Sequence, residues 1–250
     1  MTELIIEMVD DVAILTIDRP RRRNAIGAAL VERLAAEFTR LDCDPGTRVV
    51  VLTGVAPGFC AGSDLKELSG MDLAGMRAHE AQTAALARSV ALLDKPVVAA
   101  VDGFALGGGF VLAISCDVVV TAPEARWHLP EATIGWIPPW GLTALVARVG
   151  PVAARRLTWG AEAFDGQEAF RLGIADYLAA PGEAVRDAAL TRARQLAALP
   201  PPAVASTKQF FAPLVAGAGE AADAWANRLF AADCAHPVAE ATLRRFGVRT

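Results

Sequence analysis

The stretch that decides the fold is residues 95–117, KPVVAAVDGFALGGGFVLAISCD. Its VVAAV run is short, apolar and rich in β-branched residues, which predicts a buried strand. Three consecutive glycines follow at 107–109, and the apolar residues after them predict a buried helix. A strand that passes through a glycine turn into a helix is typical of α/β proteins.

The glycines at 107–109 also mark a candidate binding site. Without side chains they let a ligand approach the backbone, and the free N–H groups at a helix start favour negative charge. Such a turn serves phosphate binding or the stabilisation of an oxyanion, although it can also serve only close packing of helix on strand. Neither the dinucleotide fingerprint nor the P-loop pattern is matched.

Outward from this stretch, strands and helices alternate. Predicted strands cover 4–9, 12–17, 48–54 and 117–122, the first two as a hairpin or as adjacent strands, and predicted helices cover 27–42 and the region of Leu86, Val90 and Leu93. After Pro151 helices dominate, with 174–178 as the last strand. We therefore predict an α/β core over residues 1–195 and a helical C-terminal region over 196–250.

Composition narrows the class of protein. The chain has 250 residues, of which 54% are hydrophobic and 21% charged, and a net charge of −4. These values predict a globular protein and argue against non-specific nucleic-acid binding, which needs a basic face. The acidic start does not resemble a signal peptide, and no uncharged run reaches the length of a membrane helix. We expect a cytoplasmic protein that binds neither membrane nor nucleic acid.

Cysteine and histidine spacing gives no sign of a metal site. The four cysteines lie far apart, and the three histidines share no spacing typical of metal ligands. We therefore expect reduced thiols and no bound metal.

A second junction between a strand and a loop lies at residues 59–68, FCAGSDLKEL. The backbone N–H of Ser63 is a candidate for a second hydrogen-bond donor. Its hydroxyl is alternatively a nucleophile, but the nucleophile-elbow pattern is absent. A helix cap by Ser63 or Asp64 is the favoured role for these side chains.

Several segments, in this order, resemble the crotonase family of enoyl-CoA hydratases and isomerases. They are RPRRRNA at 19–25, AGSD at 61–64, DGFALGGG at 102–109, SCDVVV at 115–120, PEATIG at 130–135 and the stretch 157–176. The resemblance covers nearly the whole chain. It implies a core of ββα turns in a spiral, a helical C-terminal trimerisation region and a coenzyme A thioester as substrate, with no separate cofactor.

The resemblance also implies roles for individual residues. The backbone N–H groups of Ser63 and Gly108 take the positions that hold the thioester oxygen, where an enolate develops negative charge. Family hydratases carry two glutamates, but this chain has Val111 at the first position and Glu131 at the second. A single carboxyl that moves a proton from one carbon to another catalyses an isomerisation. We therefore favour enoyl-CoA isomerisation, with hydration, decarboxylation or C–C bond formation as alternatives.

The remaining site residues follow from the same resemblance. Arg21 and Lys208 are candidates for binding the coenzyme's phosphates, although both have an alternative as surface charges. Ala61 is expected to cradle the adenine through its backbone. Trp136 and Trp140 line the acyl pocket or serve the core, and Val111 is counted with the substrate-binding residues. Family hydratases often have small residues where this chain has Pro138, Pro139, Trp140 and Gly141, which predicts a more filled acyl site.

Two hypotheses from other classes stay open on the sequence. One is a binding protein that kept the fold and lost its chemistry, which the acidic balance disfavours for RNA. The other is a serine hydrolase that uses Ser63. For the preferred enzyme we expect a homotrimer or a dimer of trimers.

Overall fold

A computed structural model describes residues 3–160 and 162–247. In this part of the chain a six-stranded sheet has the order β1-β2-β3-β4-β6-β8, and β5 and β7 form a separate parallel pair. The strands are β1 (Leu4–Val9), β2 (Val12–Ile17), β3 (Val49–Gly54), β4 (Val97–Val101), β5 (Phe104–Leu106), β6 (Val118–Thr121), β7 (Arg126–His128) and β8 (Tyr177–Leu178).

Strand direction follows from the connections. β1 and β2 form an antiparallel hairpin that turns at Asp10, which adopts a positive φ of 56°. From β2 onward every neighbouring pair in the six-stranded sheet is parallel. β4 is buried along its whole length, as expected for a strand covered on both faces. The predicted α/β class is confirmed.

Some of the helices pack on the sheet, and others pack on those helices. They are α1 (Ala28–Cys43), α2 (Leu65–Leu68), α3 (Leu73–Val90), α4 (Gly108–Ile114), α5 (Glu131–Ile134), α6 (Leu142–Thr158), α7 (Gly166–Arg171), α8 (Val185–Ala197), α9 (Pro201–Ala216), α10 (Gly219–Cys234) and α11 (Pro237–Gly247). α1 buries Leu30, Leu34, Phe38 and Leu41, the apolar stripe that predicted it.

One predicted turn contains a strand. Residues 103–109 read as a turn in the sequence, but Phe104–Leu106 form β5 and pair with Arg126–His128. This strand depends on a partner more than twenty residues away along the chain. Three residues are too few to show the alternating hydrophobic pattern that identifies a strand in a sequence. Only the folded structure therefore reveals this strand.

The C-terminal helices pack on the core rather than apart from it. α8 packs against β2, β3, β4 and β6, so the predicted boundary at residue 195 falls inside its last turn. α10 packs along α3, and α11 contacts α2 and α5. The C-terminal region therefore supports the helices that carry the candidate site.

Two further findings concern the whole described chain. No described helix combines the length and the apolar character needed to cross a membrane. All four cysteines are free thiols; Cys43 is exposed and the other three are buried.

Candidate active site

Two loops meet where β3 and β5 end. Gly62 has a positive φ of 87°, and a Cβ added to it would lie 2.9 Å from both the Gly108 amide nitrogen and the Leu106 carbonyl oxygen. A Cβ added to Gly108 would lie 3.5 Å from the Ser63 amide nitrogen. Glycine is therefore required at position 62 for the loops to touch, and their contact brings the Ser63 and Gly108 amides together.

The two amides are available as donors. Within residues 3–160 and 162–247, neither the Ser63 nor the Gly108 N–H donates to a backbone carbonyl outside helices and strands. Gly108 is the first residue of α4, whose first N–H groups have no partner inside the helix. Both residues line one small cavity of about 70 Å³. Paired free amides at a cavity wall are suited to stabilising an oxyanion.

A buried asparagine holds the first of these loops. Asn24 has a positive φ of 55°, and its side-chain amide donates to the Val55 carbonyl at 2.7 Å and to the Gly58 carbonyl at 2.6 Å. Arg19 reaches the Asp64 carboxylate at 3.2 Å. Asp64 in turn accepts from the first amides of α2, so it provides the predicted cap. These contacts explain the RPRRRNA motif as a support for the loop that carries Ser63.

Glu131 provides a buried carboxyl in the same cavity. It begins α5 directly after Pro130, and its residue is 7% exposed. Its Oε2 is buried with no hydrogen-bond partner among the described residues. Burial raises the pKa of Glu131 to about 8, its own backbone N–H lowers the pKa, and the charge of Glu80 raises it further. A carboxyl of this kind takes up and releases a proton near neutral pH.

The turn at Gly107 lets Glu131 approach the amides. Gly107 has a φ of 52°, and a Cβ placed on it would lie 2.7 Å from Oε1 of Glu131. Any other residue at this position would be strained and would push the carboxyl away. The glycine run therefore does more than allow packing of α4, because it lets the Glu131 carboxyl lie against the turn that carries the Gly108 amide.

A second buried carboxyl, Glu80, was not predicted from the sequence. It comes from α3, is 2% exposed and lines the same cavity. Its Oε2 accepts a hydrogen bond from the Trp140 indole at 2.7 Å. Burial raises the pKa of Glu80, whereas charge from His79 and hydrogen bonds from Ser63 and Trp140 lower it. A signal was present, since Glu80 lies on the buried stripe of α3 with Met76, Thr83 and Ala87.

Three large or branched apolar side chains line the site, namely Val111, Trp136 and Trp140. Val111 is buried in α4, and Trp140 lies so close to Gly108 that a Cβ there would be 3.0 Å from its ring. Trp136 packs edge-to-face on Phe230 with ring centroids 5.9 Å apart. Both tryptophans belong to the packed interior and also line the cavity, so their predicted contact with the acyl group stays a prediction.

The predicted coenzyme-binding residues lie in different surroundings. Ala61 lines the cavity, and Arg21 is exposed in a 3-10 turn, Pro20–Arg22. Lys208 is buried, which excludes the surface-charge alternative for it. Its Nζ donates to the Val90 carbonyl at 3.0 Å, the Lys95 carbonyl at 2.9 Å and Asp117 at 2.8 Å. It lines a different cavity of about 550 Å³, so the structure does not bring it to Glu131.

The arrangement gives no support to a serine hydrolase. His79 is buried on α3 next to Glu80 in the sequence, but neither of its ring nitrogens has a hydrogen-bond partner in the part of the chain that the structure describes. A Ser–His pair needs such a bond to activate the hydroxyl. The described residues also hold no cluster of three metal-ligating side chains.

Two free amides beside a buried carboxyl define a class of enzyme that stabilises an oxyanion while it moves a proton. The comparisons with known proteins place the chain within that class. Residues 7–246 match the family model for enoyl-CoA hydratase/isomerase. The chain therefore belongs to the enoyl-CoA hydratase/isomerase family, the crotonase family, and it is an enzyme of that type.

Individual relatives and solved structures support the same family membership. The chain is 37% identical to a 2,3-dehydroadipyl-CoA hydratase of Escherichia coli, with 84% of this chain and 81% of that protein covered. It is 33% identical to a short-chain-enoyl-CoA hydratase of Clostridium acetobutylicum, covering 84% and 80%. A crystal structure of an enoyl-CoA hydratase/isomerase from Mycobacterium paratuberculosis superposes with a TM-score of 0.88 at 26% identity, covering 98% of each chain. The predicted crotonase-like core is confirmed.

Proposed function

We propose that this enzyme moves the double bond of an enoyl-CoA thioester, with Glu131 as the proton carrier and the Ser63 and Gly108 amides as the oxyanion hole. The observation that carries the proposal is the unpartnered Oε2 of Glu131, buried in one cavity with the two amides. A buried base beside preorganised donors suits the removal of a proton next to a thioester.

The proton and the electrons balance in two steps. The Glu131 carboxylate takes a proton from C2 of a 3-enoyl thioester, and the electrons of that C–H bond move onto the thioester oxygen. The Ser63 and Gly108 N–H groups donate to this enolate oxygen. When the electrons return, a double bond forms between C2 and C3, and C4 takes the proton back from Glu131. The carboxylate is then restored.

Hydration is the second candidate reaction. The relatives compared above carry hydratase names, and Glu80 puts a second carboxyl in the cavity. Water addition needs a base for the water and an acid for C2, which two carboxyls can share. Val111 stands where family hydratases have their first glutamate, so the usual second acid is absent from that position. Isomerisation by Glu131 alone therefore remains the first proposal.

We also propose how the rest of the substrate is bound. Ala61, at the cavity edge, contacts the adenine through its backbone, and the exposed Arg21 pairs with a coenzyme phosphate. For Lys208 the same role requires the release of its three present acceptors. Proton transfer of this kind needs no separate cofactor.

The assembly that we propose is a homotrimer or a dimer of trimers in the cytoplasm, bound to neither membrane nor nucleic acid. Exposed apolar side chains on α9 support the association of copies, namely Phe210, Phe211 and Leu214.

The test is incubation with a panel of acyl-CoA thioesters, with products identified by mass and NMR. We expect 3-enoyl-CoA to give 2-enoyl-CoA of unchanged mass. A gain of one water on 2-enoyl-CoA identifies hydration, and a loss of carbon dioxide identifies decarboxylation. No change in any thioester would reject the proposed function.

A further inference from the structure

Glu80 lines the candidate active-site cavity instead of packing only within the core. Helix α3 carries it into the cavity that Ser63, Gly108 and Glu131 also line. Its residue is 2% exposed, and a carboxyl is costly to bury without a compensating role. The two carboxyls line one cavity, and the charge of Glu80 accordingly raises the pKa of Glu131.

The surroundings of Glu80 fix its carboxyl at the oxyanion hole. The Trp140 indole donates to its Oε2 at 2.7 Å, and the Trp140 ring in turn lies against Gly108. Ser63 lines the same cavity and is one of the residues that lower the pKa of Glu80. Through Trp140, Glu80 is therefore held beside the loops whose amides receive the thioester oxygen.

Helix α4 supplies no acid to this cavity. Val111 follows the glycines and is buried, and a Cβ added to Gly141 would overlap its Cγ1 at 2.0 Å. Val111 therefore packs tightly against the turn at Gly141 and cannot move protons. The cavity nevertheless contains two carboxyls, because α3 supplies the one that α4 lacks.

We propose that Glu80 is a second acid–base residue of this site, which donates a proton to the thioester's α carbon when Glu131 activates water. The inference rests on the thioester site of the proposed function, with the substrate oxygen held at Ser63 and Gly108, and on hydration, its second candidate reaction. It assigns to Glu80 the role for which Val111 is unsuited.

The proposed step balances. Glu131 takes a proton from water, the water oxygen bonds to C3, and the electrons of the C2–C3 double bond move onto the thioester oxygen. As they return, C2 takes the proton of the Glu80 carboxylic acid. Glu131 is then protonated and Glu80 ionised, and one proton exchanged between them through solvent restores the starting state.

The experiment measures two reactions in one set of variants: hydration of crotonyl-CoA and isomerisation of a 3-enoyl-CoA. Glu80→Gln keeps the shape and the acceptor for Trp140 but cannot donate a proton as an acid. We expect hydration to fall about 10²-fold or more, and much further than isomerisation falls, because only hydration needs a second proton donor. Glu131→Gln is expected to lose both reactions.

Trp140→Phe separates a positioning role from acid–base chemistry, because it removes the indole donor and leaves the carboxyl. We expect it to lower both reactions alike and modestly. If Trp140→Phe reproduces the selective loss of hydration, Glu80 acts only by holding the tryptophan and the proposal is wrong. Glu80→Asp checks folding, and we expect it to bind thioester and to keep part of the hydration.

Three further results would overturn the assignment of Glu80. They are unchanged hydration in Glu80→Gln, equal loss of both reactions in that variant, and a wild-type enzyme that isomerises but adds no water. A wild-type enzyme that performs neither reaction would instead reject the proposed function, so the two failures can be told apart.

Discussion

At the scale of single residues, Glu131 has the clearest role. Its carboxyl is buried, lacks a partner for Oε2 among the described residues and lies against the Gly107 turn. We expect Glu131→Gln to lower turnover about 10²- to 10⁴-fold, with the dissociation constant for thioester nearly unchanged, because only the proton acceptor is lost. Steady-state kinetics and calorimetry measure both quantities. Glu124→Gln, an exposed neighbour, is the control. Near-normal turnover in Glu131→Gln would eliminate it as the base.

The ionisation of Glu131 predicts a pH dependence. The base must be ionised, so kcat/KM should rise with pH through about 8 and then level off.

The raised pKa also predicts a pH-dependent stability. The folded state holds the proton of the Glu131 carboxyl more tightly than the unfolded chain, where the pKa is near 4.5. The protonated carboxyl therefore stabilises the folded state. This contribution to the free energy of unfolding is complete below pH about 4.5 and is lost as the pH rises to about 8. The difference between wild type and Glu131→Gln in pH-dependent denaturant unfolding measures it, and a constant difference would contradict the raised pKa.

Gly108 tests the oxyanion hole. A Cβ at this position already lies 3.0 Å from the Trp140 ring and 3.5 Å from the Ser63 amide nitrogen. Gly108→Val should displace both neighbours and lower turnover by about 10²- to 10³-fold, while circular dichroism shows a retained fold. Gly46→Val, in an exposed turn, is the matched control. A folded Gly108→Val enzyme with normal turnover would show that the amide assignment is wrong.

At the scale of elements, the loop between β3 and α2 is held by Asn24 rather than by its own residues. Asn24→Ala removes two donated hydrogen bonds and leaves the Val55 and Gly58 carbonyls without them. It also places alanine at a positive φ. We expect a loss of about 2–4 kcal/mol in the free energy of unfolding, together with lower turnover, because the loop carries Ser63.

Asn24→Gly separates the two causes of that loss. Glycine tolerates the positive φ but still lacks the side-chain amide. If the hydrogen bonds dominate, denaturant unfolding should give Asn24→Gly nearly the same loss as Asn24→Ala. A glycine variant as stable as the wild type would show that the bonds to the loop contribute little.

At the scale of the whole molecule, α9 presents its apolar side chains outward. Leu214 is 70% exposed, as expected for a surface that another copy covers. Leu214→Glu should convert a trimer into smaller species, which sedimentation velocity measures. Leu92→Glu, at 68% exposure near the end of α3, is the control and should leave the assembly intact. If neither variant changes the sedimentation coefficient, α9 does not form the interface.

The sequence predicted the parts of the site that depend on local backbone pattern. Ser63 and Gly108 lie at strand-to-helix turns rich in glycine, and Glu131 follows a proline at the start of a short helix. Such features are visible in a few adjacent residues. Glu80 was missed because its environment depends on where α3 packs against the loops of the cavity, and the helix predicted around Leu86 did not extend to it.

Sequence alone thus determined the α/β class, most strand and helix positions and the two glycine-rich loops that carry Ser63 and Gly108. Hydrophobic periodicity and glycine conformation act over short distances along the chain, so local patterns reveal them. Tertiary structure alone decided that Phe104–Leu106 forms a strand, that Lys208 is held by Asp117, and that Glu80 and Glu131 share one cavity. These outcomes depend on contacts between residues far apart in the chain. The burial and the charge environment of each residue there depend on how the helices pack on the sheet. A pattern of adjacent residues does not predict that packing.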